Sequence, residues 1–174
     1  MKTIELKTFS KYDEFIRKIY EESFPKKERI DFSILLNKKN KEFKLLAFIN
    51  KQELIGFSYL IIADGCVYLM YLAVKEECRN KGFGSNIIKI INKRYKNKPI
   101  FVSVEKPDFK DCNKIRRIKF YQKNGFVLTD FQYDWLGTIL IPMCKNNDNK
   151  QRLVDFLNKH IPDGKNYKDI KIKI

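Results

Sequence analysis

The sequence predicts an α/β (α+β) fold, a mixed sheet with helices on both faces. Three observations predict it. Three strand-like runs, Phe43 to Ile49, Leu54 to Ala63 and Cys66 to Val74, follow one another with only short turns between them. Between residues 70 and 95 a buried-looking strand passes through a basic, glycine-punctuated turn into a helix. Beyond Ile100 come a strand, a helix and a strand pair, so the whole order reads β, α, α, β-β-β, α, β, α, β-β.

Each element has its own signal. Lys-Thr-Ile-Glu-Leu-Lys-Thr at 2–8 alternates as a strand does. Ser10, with Asp13 in place of the usual Glu or Gln of a capping box, is expected to cap a helix. Phe15, Ile16, Ile19 and Tyr20 follow at helical spacing. That helix ends near Phe24-Pro25, because a residue before proline avoids helical backbone. A short helix covers Asp31 to Asn37, with Phe32, Leu35 and Leu36 on its apolar side. The turns Asn50-Lys51 and Asp64-Gly65 join the three strands, the second being a good hairpin signal.

The helix from Gly82 to about Tyr95 carries Phe83, Ile87, Ile88, Ile90 and Ile91, a stripe wide enough to cover a sheet. Ile100 to Val104 is a short buried strand, residues 106–112 a loop, and Asn113 to Lys123 a second amphipathic helix. Phe126 to Trp135 and Thr138 to Met143 form a hairpin-like pair around Leu136-Gly137. Lys145 to Lys150 reads as a solvated linker, followed by a helix at about 149–159 and an alternating tail, Lys165 to Ile174, left open between strand and disorder. The expected organisation is one domain over 1–144, with 145–174 as linker, helix and tail packed on it or extending from it.

Composition narrows the functional classes. A chain of 174 residues with 44% hydrophobic and 33% charged residues is long enough to bury a core without staples. No apolar run approaches the ~20 residues that span a bilayer, and Met1 to Ser10 lacks the apolar centre of a secretory signal. A cytoplasmic protein without a membrane partner is the expectation. Cys66, Cys78, Cys112 and Cys144 form no Cys-x-x-Cys pair, and His160, the one histidine, sits in a polar tail. No metal site and no Cys-His or Ser-His-Asp chemistry is expected. The formal charge of +15 invites a nucleic-acid reading. The lysines are spread along the whole length, so a compositional bias explains them at least as well and nucleic-acid binding is disfavoured.

The segment Arg79-Asn80-Lys81-Gly82-Phe83-Gly84-Ser85 carries the most chemistry. Glycines let a ligand approach the backbone, the next helix opens with unpaired N–H groups and a positive dipole end, and Arg79 and Lys81 add mobile positive charge. Together they make a phosphate cradle, suited to a pyrophosphate; the plain alternative is a basic loop that only turns the chain. It is not a Walker loop, since no lysine separates Gly84 from Ser85, and not a dinucleotide fingerprint, since position 87 is Ile. Arg79-x-x-Gly82-x-Gly84 resembles the acyl-coenzyme A pyrophosphate loop of the GNAT superfamily of N-acetyltransferases. Further on, Phe120-Tyr121 followed by Gly125-Phe126 resembles the superfamily's second cofactor-contacting segment. The resemblance covers about residues 1–143.

The resemblance implies a sheet splayed between its fourth and fifth strands, here Cys66 to Val74 and Ile100 to Glu105, with acetyl-coenzyme A in the gap as cosubstrate. Leu72, Ala73 and Val74 would meet its pantetheine arm, residues 79–85 its pyrophosphate. Tyr121 would be the general acid that protonates the departing thiolate, unless it is simply an inward core tyrosine, and Phe120 is expected to pack against the sheet. Glu105, alternating with Val102 and Val104 on the fifth strand, is the candidate base; it could equally bind the ammonium or be a plain strand end. An alkylamine of pKa ~10.4 needs such help to lose its proton at neutral pH. Many members place an Asn seven residues before the tyrosine and a small residue four before it. This chain has Lys114 and Arg117 there, with Asn113 displaced by one as the expected pantetheine contact.

Ser23-Phe24-Pro25-Lys26-Lys27-Glu28-Arg29 resembles a feature of one branch of these enzymes. Glu28 and Arg29 are expected substrate contacts or, more simply, a surface ion pair; Asp108 and Asp111 are expected near the same mouth. The implied activity is direct attack of a small-molecule or peptide primary amine on the thioester. A non-catalytic acyl-coenzyme A sensor is the alternative, and a homodimer stays open.

Overall fold

The computed structural model describes residues 1–6, 10–37, 40–107, 111–135, 137–146, 150–160 and 172–173. Its strands are β1 Lys2–Glu5, β2 Phe43–Asn50, β3 Glu53–Ala63, β4 Cys66–Val74, β5 Ile100–Glu105, β6 Val127–Leu128, β7 Gln132–Trp135, β8 Thr138–Lys145 and β9 Ile172–Lys173. Its helices are α1 Asp13–Ser23, α2 Phe32–Leu35, α3 Phe83–Arg94, α4 Cys112–Lys123 and α5 Lys150–His160. The strands form one sheet in the order β1-β2-β3-β4-β5-β8-β7-β9, with β6 also on β8. Among the described residues only β4 and β5 pair in parallel.

Both faces of the sheet are buried, and strand alternation sorts them. Along β2, Leu45, Ala47 and Ile49 enter one core while Leu46 and Phe48 enter the other. Ile16, Ile19 and Tyr20 of α1, Leu35 of α2 and Leu153, Phe156 and Leu157 of α5 cover the first face. Ile87, Ile88 and Ile91 of α3 and Ile118 and Tyr121 of α4 cover the second. A mixed sheet sandwiched between helices is therefore the observed architecture.

The parallel pair is short. Only Val67–Ile100 and Tyr68–Phe101 are in register between β4 and β5, after which the strands part. A bulge accounts for the divergence. Tyr59 faces Tyr71 but Leu60 faces Leu69, so Met70 is an extra residue in β4. Such an insertion bends and twists its strand. The edge of β4 beyond Tyr68 consequently has no strand beside it among the described residues.

Local details differ from expectation for identifiable reasons. Ser10 does not cap α1; instead the Asp13 carboxylate reaches back, accepting from the Ser10 N–H and hydroxyl at 3.0 Å each. Phe15 lies 58% exposed, off the buried stripe of α1. The run from Phe126 to Trp135 is two strands, because the Thr129 N–H and hydroxyl both turn to the Pro142 carbonyl at 2.9 and 3.0 Å. Lys145, expected in a linker, ends β8, paired with Ile100 and with its Nζ 2.6 Å from the Asn124 carbonyl. Most of the tail, like Asp108, lies outside the described residues. Among those residues no helix is long and apolar enough to cross a membrane.

Candidate active site

A cavity of about 920 Å³ opens where β4 and β5 diverge. Of the residues singled out from sequence, Leu72, Ala73, Val74, Arg79, Asn80, Gly82, Gly84, Ser85, Asn113, Glu28, Glu105 and Tyr121 line it. Lys81, Phe83 and Arg29 are absent from its wall. Phe83 is half-buried at the start of α3, Lys81 points to solvent, and Arg29 is half-buried beside α1.

The loop end of the cavity is built from consecutive chain. Gly82 has φ of +79° at the N-cap of α3, and a Cβ placed there would meet nothing within 4 Å, so the backbone faces open space. The first N–H groups of α3 lack intrahelical partners and carry its positive dipole end to the same place. These features fit a pyrophosphate. Arg79 is held rather than mobile: its Nε donates to the Val74 carbonyl at 3.1 Å and its Nη2 to Ser23 Oγ at 3.4 Å. The guanidinium thus ties the end of β4 to the end of α1. It also occupies the Val74 carbonyl, and the Ala73 carbonyl turns toward Gly56 of β3, leaving Leu72 as the freer residue of the strand edge.

Asn124 ties α4 to this loop, donating to Ser85 Oγ at 3.2 Å and to the Phe120 carbonyl at 2.8 Å. Phe120 packs on Gly84, whose added Cβ would sit 3.2 Å from its ring; it lies against the core on the second face of the sheet and also lines the cavity. The adjoining Tyr121 is 7% exposed, edge-on to Phe120 and Phe126. Its hydroxyl has no hydrogen-bond partner among the described residues, and burial pushes it up to about 12. A protonated phenol lining the cavity is thus available as a donor.

The other end is aromatic and acidic. Tyr71 on β4 donates to the Glu28 carbonyl at 2.9 Å and accepts from the Ile30 N–H at 3.3 Å, while Tyr20 donates to the Ile30 carbonyl at 3.1 Å. Two buried tyrosines therefore fix the backbone of residues 28–30. Glu28 makes no ion pair among the described residues, and burial first, then the charge of Glu105, raises its carboxyl above the ordinary value. Glu105 is held on both oxygens, by Lys114 Nζ at 3.3 Å and Arg117 Nη1 at 3.1 Å. Asp111 faces away from this end and caps α4, accepting from Asn113 N–H at 2.9 Å and Lys114 N–H at 3.3 Å.

Sequence reasoning missed Tyr71, whose grip on residue 28 crosses 43 positions. It also missed Tyr68, Ser103 and Tyr133, which meet in this wall from three strands. Ser103 had one visible signal, its alternation with Glu105.

An acetyltransferase (GNAT) domain model matches residues 41–128, half of the chain. The candidate acetyltransferase YjbC of Bacillus subtilis (strain 168) is 36% identical over 63 residues, 36% of this chain and 32% of that protein. The match thus spans about a third of that relative's length. Among solved structures, a GNAT-family candidate acetyltransferase from Bacteroides thetaiotaomicron superposes with a TM-score of 0.77 at 23% identity, covering 90% of this chain and 93% of its own. An aminoglycoside 6'-N-acetyltransferase complexed with coenzyme A gives a TM-score of 0.60 at 16% identity, with 83% and 96% covered. Likenesses at such identities speak to the fold. The family model, reaching across β2 to β6 and so including both the loop and Tyr121, decides the matter: this chain belongs to the GNAT acetyltransferase family.

Proposed function

We propose that the protein transfers an acetyl group from acetyl-coenzyme A to a primary amine, in the cytoplasm. Cys66, Cys78 and Cys112 form no disulfide among the described residues, which suits a reducing compartment. The observation that carries the reading is one cavity shared by the Gly82 loop and Tyr121, whose hydroxyl has no hydrogen-bond partner among the described residues. The coenzyme supplies the activated thioester. Leu72 and Ala73 would receive its pantetheine arm, with Asn113 at the opposite wall, and residues 79–85 its pyrophosphate.

The chain's own residues then divide the proton work. Tyr121 donates its hydroxyl proton toward the developing thiolate, a phenol being acid enough for that step. Glu28, which makes no ion pair among the described residues and whose carboxyl is raised by burial above its ordinary value, takes the proton from the acceptor's ammonium. Glu105, first choice from the sequence, has both oxygens engaged, and we assign it the second part of holding charge at the mouth. The acceptor is a small amine, the class named for the aminoglycoside-acetylating neighbour.

Release of free coenzyme A thiol from acetyl-coenzyme A over a panel of primary amines tests this. Amine-dependent release that fails in Tyr121→Phe supports it. Tight coenzyme binding without release for any amine would favour the second reading, a non-catalytic acyl-coenzyme A sensor. The cationic clamp on Glu105 is the observation that favours that second reading.

A further inference from the structure

The lysines are spread along the whole sequence, but the fold gathers many of them on one side. Helices α3 and α4 cover the second face of the sheet, α3 over β4 and α4 over β5, and are tied together where Asn124 meets Ser85. Neither helix contains an Asp or a Glu. Apart from Cys112, every exposed residue of the two is Lys, Arg, Asn or Gln. Helix α1 on the first face is the contrast. Its exposed Glu14, Glu21 and Glu22 stand among Arg17 and Lys18, and Lys18 pairs with Glu22 at 3.8 Å.

Few acids reach the second face from elsewhere. Glu5 takes Arg94, and Glu105 takes Lys114 and Arg117. Lys89, Lys93, Arg116, Lys119 and Lys123 are exposed and make no ion pair among the described residues. Lys89 and Lys93 lie one turn apart on α3, and Arg116, Lys119 and Lys123 recur at three and four residues on α4, so each set forms a stripe. Like charges held together on one face repel one another, and a bound polyanion relieves that repulsion. Arg116 and Lys123 also line the cavity, so the α4 stripe runs into its mouth.

The chemistry of the face selects the polyanion. Protein interfaces are depleted in Lys and enriched in aromatic residues, and this face is the reverse. Phosphate backbones are met by Lys, Arg, Asn and Gln. Neither helix exposes an aromatic side chain on which unpaired bases could stack. A double helix, held through its phosphates and sugars, needs none. Asn86, Asn113 and Gln122 can both donate to and accept from a ribose 2′-hydroxyl, which favours RNA.

We propose that the outer face of α3 and α4 docks a double-helical RNA stem through its backbone, without reading its sequence, beside the mouth of the cavity. The inference goes beyond the transferase reading and does not depend on it.

The test uses the full chain with and without saturating coenzyme A, which fills the Gly82 loop. The probes are a labelled RNA hairpin with a stem of about 16 base pairs, an unpaired RNA of the same length, a DNA hairpin of the same sequence, and polyglutamate. Fluorescence anisotropy reads each. The RNA hairpin binds tightest, and its affinity falls with salt on a log–log slope of about −4 to −5, as for five neutralised phosphates. The triple variant Lys89→Gln, Lys93→Gln, Lys119→Gln weakens hairpin binding about tenfold or more and flattens the slope by about 3. None of those three lines the cavity, so coenzyme A affinity stays the same. The triple variant Lys11→Gln, Lys18→Gln, Lys41→Gln removes the same charge away from α3 and α4 and changes hairpin affinity by less than about threefold. Equal losses in the two triple variants, no hairpin binding by wild type, tightest binding of any other probe, or release of the hairpin by coenzyme A each overturns the docking surface. None of these results touches the coenzyme site, which is tested by coenzyme binding alone.

Discussion

Residues 72–85 build the loop end of the cavity from one stretch of chain, whereas its aromatic end gathers Glu28, Tyr68, Ser103, Glu105 and Tyr133 from four separate segments. The loop end works through backbone: a left-handed glycine, free N–H groups and a helix dipole. The aromatic end works through side chains whose partners come from elsewhere, such as Lys114 and Arg117 on Glu105 or Tyr71 on the Glu28 carbonyl. The difference fits what each end has to hold. A pyrophosphate carries the same charge on every substrate molecule and can be met by fixed dipoles. An amine has to be aimed and deprotonated, which needs several directional groups converging from rigid elements.

The comparison breaks most sharply between the two ends, at Tyr121. Tyr121→Phe should lower kcat by about 10²–10³-fold, the range of a lost general acid, while coenzyme affinity measured by calorimetry stays the same. The hydroxyl has no described partner to lose, so the melting temperature should not fall. A matching loss of coenzyme affinity would put Tyr121 in binding instead.

Gly82→Asp attacks the loop end alone. A charged side chain in the open cradle should weaken coenzyme A binding about 100-fold, or ~2.7 kcal/mol. The positive φ adds a backbone cost of about 1 kcal/mol, tempered because Asp tolerates that region, and a modest fall in melting temperature should register it.

Glu28→Gln attacks the aromatic end alone, lowering kcat/KM for the amine by about tenfold or more without touching coenzyme affinity. Its pH behaviour carries a sign. The folded carboxyl titrates above its ordinary value, so its stabilising protonated form is fully present at low pH and is lost as pH rises through the folded pKa. Glu28→Gln should therefore raise the melting temperature at neutral pH but not near pH ~4. It should also abolish the acid limb of the rate profile. A variant less stable at neutral pH would contradict that assignment.

Tyr71→Phe should have the smallest effect. It removes the clamp on residues 28–30, costing about 1–3 kcal/mol of stability for unsatisfied buried groups. The KM for the amine should rise several-fold, with kcat and coenzyme affinity preserved. Equal losses at both ends would make Tyr71 a general packing residue.

The same contrast explains what could be read in the sequence. The glycine loop, the strand before it and the helix after it are local, and they were legible as local signals. So was the placing of Glu105 beside the fork, because strand alternation with Val102 and Val104 requires no partner to be known. The clamp on Glu105 was half legible. Lys114 and Arg117 stood out as departures from the family pattern, but their meeting one carboxylate depends on how α4 docks on β5. The hydroxyl triad depends on β7 arriving beside β8 and was not legible. Ser10 shows the limit at short range: it reads as the cap of a box with Asp13 in the Glu position, yet it is the Asp13 carboxylate that accepts, from Ser10 itself.

Thermal unfolding of the full chain with and without acetyl-coenzyme A tests the central claim most directly. A ligand that binds only the folded state at 100 times its Kd adds about 2.7 kcal/mol, so a clear rise in melting temperature is the expected result, reduced in Gly82→Asp. No rise, in protein shown to be folded, would contradict the coenzyme site and with it the transferase.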